Sequence, residues 1–190
     1  MQKADFTEKG FPAIHYGQIY TKYGMTADKT FSFVSDELAN RLKIADTNDL
    51  LLATTSENDE DVCKPLAWLG GKTAISGDML LFRHKENVKF LAYYIQSSIF
   101  QSEKKRKITG TKVRRVSATD LSNLAVPLPS LTLQNKIVEI LDKFQAMTEE
   151  VAGLLPEEIE LRQKQYAYYR EQLLTFNADN DKHARTHART

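Results

Sequence analysis

From Leu133 onward the apolar residues recur in a heptad alternation. Leu133, Ile137, Ile140, Phe144, Met147, Val151 and Leu154 are spaced 4-3-4-3-4-3, and residues at those intervals fall on one stripe of an α-helix. A second register runs through Leu155, Ile159, Arg162, Tyr166, Tyr169, Leu173 and Phe176, offset by one residue at Gly153–Pro156. Pro156 followed by Glu157 and Glu158 suits a new helix N-terminus, where a missing N–H costs nothing and carboxylates complement the dipole. The chain therefore closes with two heptad helices, broken or kinked near 153–156. The commoner fate of such a stripe is to pack on its own globular domain. Seven consecutive hits favour a long helix–helix seam instead.

What precedes the helices has the composition of a folded domain. The 190 residues are 42% hydrophobic and 27% charged, with only 5 Pro and 8 Gly, which excludes low-complexity and collagen-like chains. FPAIHYGQIY, TFSFV, DLLLATT and MLLFR read as short strands separated by glycines. SDELANRLK (35–43) reads as a short helix capped by Ser35, and 87–101 as a helix capped by Asn87. Ser117 to Asp120 resembles a capping box, and Pro127 and Pro129 close the globular part. The fold class is α+β: a domain of short twisted strands with helices at 1–130, a coiled-coil-like helical region at 131–176, and a polar, disordered tail at 177–190. The lone Cys63 forms no internal disulfide, and no run of apolar residues has membrane-spanning length. A cytoplasmic protein without membrane attachment is expected.

The net charge of +1 conceals an uneven distribution. Residues 1–100 carry a net −2, residues 101–125 a net +5 and residues 126–176 a net −3. The basic charge is concentrated in the segment EKKRKITGTKVRR.

Several ordered blocks then point to one family. GFPAIHYGQIYTKYG, DLLLATTSENDEDVCKPLAWLGG, SGDMLLFRH, GTKVRRVSATDLSNLAVPLPSL and LPEEIELRQKQYAYYREQLLTF together resemble the target-recognition domain and helical end of type I restriction-modification specificity subunits. The likeness covers about residues 3–176, and its last forty look like the type IC branch. The resemblance implies a non-catalytic subunit in which two recognition domains, separated by helices acting as a ruler, each read half of a split DNA target. Modification subunits, carrying S-adenosylmethionine and the adenine methyltransferase site, dock on the helices. A translocating, ATP-dependent restriction subunit joins them. No cofactor is expected on this chain itself. The sequence holds one recognition domain and one helical region, and it starts at a block that members of the family reach after a further N-terminal stretch. Absence of the first strand or so of the domain is expected, and two copies are expected to pair their helices as an isologous dimer. The alternative is a truncated chain that pairs with other subunits without reading DNA.

Duplex DNA contact is expected first from Lys104, Lys105, Arg106 and Lys107, then from Thr111, Lys112, Arg114 and Arg115. Lysine and arginine displace counterions from phosphates, and an arginine fork also matches guanine N7 and O6. The bland counterpart is a solvated charged loop. The expected strand through His15, Tyr16, Gln18 and Tyr20 is the second candidate, because Gln pairs with adenine and Tyr or His reaches phosphate or base edges. Alternation puts Tyr16, Gln18 and Tyr20 on one face and His15 on the other. Thr54, Thr55 and Ser56 suit phosphate contacts or a helix cap equally well, and Glu57 is a weaker cytosine reader. The acidic cluster Glu57, Asp59, Glu60 and Asp61 is more readily a solvated loop than a nuclease site. Cys63 is more readily a core residue than a nucleophile paired with His15 or His84, and Trp68 is expected in the core. Tyr168 lies off the helical seam, where it would face a modification subunit.

Overall fold

Strict alternation decides the layering of the strands. The computed structural model describes residues 1–151 and 156–175. One four-stranded sheet consists of β1 (Phe11–Ile14), β3 (Ser32–Val34), β4 (Lys43–Ala45) and β8 (Thr73–Ile75), in the order β3-β1-β8-β4. A second consists of β2 (Thr26–Ala27), β5 (Leu50–Ala53), β7 (Lys64–Trp68) and β9 (Met79–Phe82), in the order β2-β7-β5-β9. Ile14 and Ile75 of the first sheet meet Leu51, Ala53, Leu66, Trp68 and Met79 of the second in one apolar cluster. Their sequence neighbours Ala13 and Ala74 point the other way, towards α2 (Asp36–Ala39). Leu50 and Leu52 likewise point away from the first sheet, into a larger cluster with the helices. Period-two alternation thus gives a layer order of α2, sheet, sheet, helices.

Most expected elements form for the anticipated reasons. Ser35 Oγ accepts from Leu38 N, Asn87 Oδ1 from Lys89 N and Phe90 N, and Ser117 Oγ from Asp120 N at 3.0 Å to open α5 (Ala118–Ser122). Three expectations are corrected. The helix expected over 35–43 ends at Ala39, and Lys43 already opens β4. The 87–101 helix is two helices, α3 (Val88–Ile95) and α4 (Ser98–Lys105), because Ser97 caps a fresh N-terminus by accepting from Phe100 N. The strand expected through His15–Tyr20 is a helix, α1 (Tyr16–Thr21). His15 Nδ1 accepts from Gly17 N, and Gln18 Oε1 accepts from His15 N, so the two side chains cap the helix from both directions.

The heptad stripe divides between two surfaces. α6 (Leu131–Val151) and α7 (Pro156–Leu174) fold back on each other: Phe144 stacks on Tyr169 with centroids 5.0 Å apart, whereas a straight helix would separate them by roughly 37 Å. Ile137 is buried, together with Val138 and Leu141, which are not heptad positions, because this side of α6 covers α3. Tyr166 and Leu173 pack partly buried against the same core, Ile159 and Arg162 are half-buried, and Leu174 is buried in the core. Leu133, Ile140 and Met147, one column at seven-residue spacing, stay exposed, as do Leu161, Tyr168 and, in part, Tyr169. Both packing fates are therefore realised on one helix, and the seam inferred from the heptad does not take up all of its positions. Leu154, Leu155, Phe176 and the segment 177–190 lie outside the described residues, as does the Val151 side chain.

A polar joint fixes where α6 leaves the sheets. Gln134 is 0% exposed; its Nε2 donates to Glu86 Oε2 (2.6 Å) and Pro129 O (2.8 Å), and its Oε1 accepts from Asn87 N (2.9 Å). Asn87 Nδ2 also donates to Asn135 Oδ1 (2.8 Å). Further along, Tyr93 Oη donates to Asp142 Oδ1 (2.7 Å) and Lys89 pairs with the same carboxylate. Near the end of α7, Glu171 accepts from Ser98 N and Oγ. Removing one partner from a buried polar set leaves the others desolvated and unpaired, at about 1–3 kcal/mol per group. Gln134→Ala is expected to lower the unfolding free energy by about 2 kcal/mol or more, read from the urea midpoint at unchanged m-value.

Candidate nucleic-acid interface

The positively charged residues and the hydroxyl-rich strand end, distant in sequence, form one ribbon. β6 (Thr55–Ser56) pairs antiparallel with β10 (Arg114–Arg115), placing Arg114 opposite Ser56 and Arg115 opposite Thr55. Thr109 and Arg115 exchange two backbone hydrogen bonds of 2.9 Å, so residues 109–115 form a hairpin whose tip exposes Thr111, Lys112 and Val113. Gly110 makes the turn possible: its φ is +92°, and a Cβ there would lie 2.1 Å from Val113 O.

Arg114 is held in place while half-buried, and Arg115 is exposed. Arg114 Nη1 donates to Gly110 O (2.6 Å), and its Nε lies 3.0 Å from Asp59 Oδ1. Arg115 Nη2 lies 4.0 Å from Asp78 Oδ1. The Arg115–Asp78 pair is exposed and contributes little to stability, so a phosphate or a base edge competes with it readily, whereas the Arg114–Asp59 pair is half-buried. The acidic loop thus serves partly as a counter-charge for Arg114, and Asn58 and Asp61 bond to each other within it. Among the described residues no group of three or more His, Cys, Asp or Glu converges as a metal ion would need.

Beneath the ribbon, Tyr20 Oη donates to Thr55 O (2.8 Å), and Lys64 Nζ lies 5.9 Å from the centroid of the Tyr20 ring. Burial pushes the Tyr20 phenol well above its ordinary pKa, so it remains a neutral donor. Thr54 Oγ1 donates to Asp78 O (3.1 Å), Thr55 is buried in the ribbon and Ser56 is half-buried. Lys64 was not among the residues singled out from sequence; its position directly after Cys63 at the opening of an apolar strand gave no sign that it faces Tyr20.

Several expected contacts are corrected. Gln18 is buried, and its Nε2 donates to Ser32 Oγ (2.6 Å), so its amide is not available to a base. His15 and Tyr16 are half-buried: His15 caps α1 through Nδ1 instead of lying on a strand face, and the Tyr16 ring is tilted beside it with centroids 4.6 Å apart. Lys104 is 1% exposed, with Nζ donating to Val62 O (2.8 Å) and Glu60 O (3.0 Å), so it fastens the acidic loop to α4 and presents no charge at the surface. Desolvation lowers its pKa, opposed by Cys63 and the nearby carboxylates. Lys105 and Arg106 are exposed on the same turn and Lys107 is half-buried. Cys63 is fully buried, and burial pushes its thiol up to about 11, against nucleophilic use. Trp68 lies in the core as expected.

A family model described as the type I restriction modification DNA specificity domain matches residues 5–161. The chain is 33% identical over 153 residues to the EcoR124I/EcoR124II specificity subunit of Escherichia coli, a match that spans 78% of this chain and 38% of that protein. It is 37% identical over 100 residues to the EcoprrI specificity subunit of Escherichia coli, covering 49% and 24% of the two chains. A solved structure from work on complex assembly and conformational transition of the type I R-M system superposes with a TM-score of 0.55 at 19% identity, covering 92% of this chain and 40% of that one. The chain therefore spans well under half the length of these relatives. Among the described residues no helix is long and apolar enough to cross a membrane.

Two consequences separate the roles of these residues. Lys104→Ala is expected to cost about 3 kcal/mol of stability and to speed amide exchange in residues 57–62. The combined Lys105, Arg106 and Lys107→Ala variant should unfold within about 0.5 kcal/mol of the parent. For His15, desolvation lowers the folded-state pKa below 6.5. The unfolded chain therefore takes up its proton first, and the cap's contribution is complete above pH 6.5 and lost as pH falls through the folded value. His15→Asn, which keeps a capping oxygen but does not titrate, should flatten that part of the stability–pH profile in chemical denaturation.

Proposed function

The chain belongs to the family of type I restriction-modification DNA specificity domains, and from that premise we propose that it is a non-catalytic reader of one half of a bipartite DNA target. The observation that carries this reading is the β6–β10 ribbon, which sets Arg114 and Arg115 beside Ser56 and below an exposed hairpin tip with Lys112. A two-stranded ribbon is an element that a major groove admits, and the fork of Arg114 or Arg115, which face opposite sides as consecutive strand residues, matches guanine N7 and O6. Lys105, Arg106, Lys107 and Lys64 supply sequence-independent phosphate contacts beside it.

In this proposal the chain holds no cofactor. S-adenosylmethionine is carried by a modification subunit that docks on the helical hairpin, and ATP by a restriction subunit that joins the assembly. The exposed column Leu133, Ile140 and Met147 supports association of α6 with a second copy of the chain. Leu161 and Tyr168 on α7 remain for the modification subunit. The EcoR124I/EcoR124II and EcoprrI relatives are specificity subunits by name, which supports the role in such a complex.

The test is to co-express the chain with a modification subunit in a methylation-free host and map modified adenines by long-read sequencing. A split motif with two-fold symmetry is expected, and Arg114→Ala with Arg115→Ala should abolish or relax it. If both proteins are soluble and no methylation appears, the reading fails in favour of a chain that only pairs with other subunits.

A further inference from the structure

Away from the ribbon, two turns are locked together on the surface. The β2–β3 loop (residues 28–31) and the β7–β8 turn (residues 69–72) meet through Leu69 N donating to Ala27 O (2.8 Å), while Trp68 Nε1 donates to Gly71 O (2.7 Å) within the turn. Thr47 Oγ1 holds the same turn through Gly70 O (2.7 Å). A Cβ on Gly70 would lie 2.3 Å from Asp28 O and 2.4 Å from the Trp68 ring, so only glycine lets the turns approach this closely. Between them lies a shallow cavity of about 370 Å³ with Phe33 and Trp68 in its walls and Lys29 and Lys72 among its lining residues. Thr73 Oγ1, fully buried, lines it with no hydrogen-bond partner in the structure.

The most unusual side chain here is Phe31. It is 57% exposed, yet it is not loose: its N–H donates to Tyr23 Oη (3.1 Å), and its ring packs 4.9 Å from that of Tyr23. Lys22 Nζ lies 5.6 Å from its centroid. A large apolar ring left more than half exposed leaves apolar surface in water, and its contacts with Tyr23 and Lys22 orient it towards a partner. Its charged neighbours indicate the kind of partner. Lys22 lies beside the ring, and Lys29 and Lys72 line the adjoining cavity with one carboxylate, Asp28. The interior of a protein–protein contact is depleted of charge, lysine especially, and an exposed ring with one lysine beside it and two more along the adjoining cavity suits a polyanion with apolar edges. Lys22 lies two residues beyond Tyr20, which bonds to Thr55 O, while the two turns sit at the far end of the β5–β7 pair from the ribbon, beyond roughly 13 Å of strand and so within one turn of a duplex.

We propose that this two-loop platform is a second contact with the duplex, in which Lys22, Lys29 and Lys72 pair with phosphates and Phe31 makes an apolar contact with base edges in the groove. The proposal rests on the DNA-reading function above and adds residues that the basic segment does not include.

The experiment uses the full chain co-purified with its modification subunit and a mixed-sequence duplex, with binding followed by fluorescence anisotropy over a salt series. The Lys22, Lys29 and Lys72→Ala variant is expected to reduce the slope of log affinity against log salt by roughly 3, close to one per phosphate released. Phe31→Ala is expected to weaken binding about tenfold with the slope unchanged, and Phe31→Leu to lose less. These side chains are exposed or at a cavity rim, and thermal unfolding verifies that each variant is folded. An unchanged slope and affinity in these variants, with binding lost in the Arg114 and Arg115→Ala variant, overturns the platform and leaves the ribbon reading standing. Loss of modification-subunit co-purification in Phe31→Ala, with DNA affinity intact, overturns it in favour of a protein partner. A parent complex that binds no duplex removes both.

Discussion

Gln134 carries an uncharged amide into a site with no solvent access, where an unpartnered amide would cost roughly 2–7 kcal/mol. It is tolerated because Glu86, Asn87 and Pro129 meet it from both sides of the junction between sheets and helices. Hydrophobic contact alone is nearly indifferent to a small rotation of a helix about its axis, whereas three directed hydrogen bonds are not. With the first turn of α6 fixed in this way, Ile137, Val138 and Leu141 face α3, Asp142 meets Tyr93, and Phe144 receives Tyr169 from the returning helix. The stagger between the two sheets and the helical hairpin is therefore set at its first turn by Gln134, and Asn135, Asp142 and Glu171 extend that polar joint along the helices.

At the ribbon, opposite electrostatics prevail. Arg114 is oriented by Asp59 at 3.0 Å, while Arg115 is more exposed and lies 4.0 Å from Asp78. In the proposed role a phosphate replacing Asp59 would conserve the charge-assisted bond to Arg114. Lys104 contributes at one remove, by fastening the loop that carries Asp59 to α4. Within the basic segment Lys104 is buried and structural, whereas Arg114 is half-buried and Arg115 exposed, consistent with the different hydration and geometry of the two cations.

The sequence was most legible where a signal is local. Ser35, Asn87 and Ser117 cap the helices they were expected to cap, and the apolar runs at 50–53 and 79–82 are strands. It was least legible where a tertiary partner decides. The alternation in HYGQIY is also compatible with a one-and-a-half-turn helix, and reciprocal capping by His15 and Gln18 decided the matter. Lys104 is chemically indistinguishable from Lys105 in a basic run; only the carbonyls of Glu60 and Val62, more than forty residues away, set it apart. The heptad was read correctly as two helices, but it carries no information on which positions face α3. Of the candidate site, the ribbon residues 54–56 and 114–115 were named from sequence and their pairing was not, since register between distant short strands leaves no trace in composition.

Leu174 shares one apolar cluster with Leu50, Leu52 and Phe90. During synthesis the strands leave the ribosome well before the segment that covers them. Until α6 and α7 follow, the outer face of the second sheet and the underside of α3 stand open to water and to other nascent chains, the condition under which larger proteins misassemble. The helical hairpin consequently acts as the lid of its own folding as well as, in the proposed role, an arm for assembly. Sequence changes that retune the arm for a different partner are filtered first by whether the polypeptide still closes its core on release.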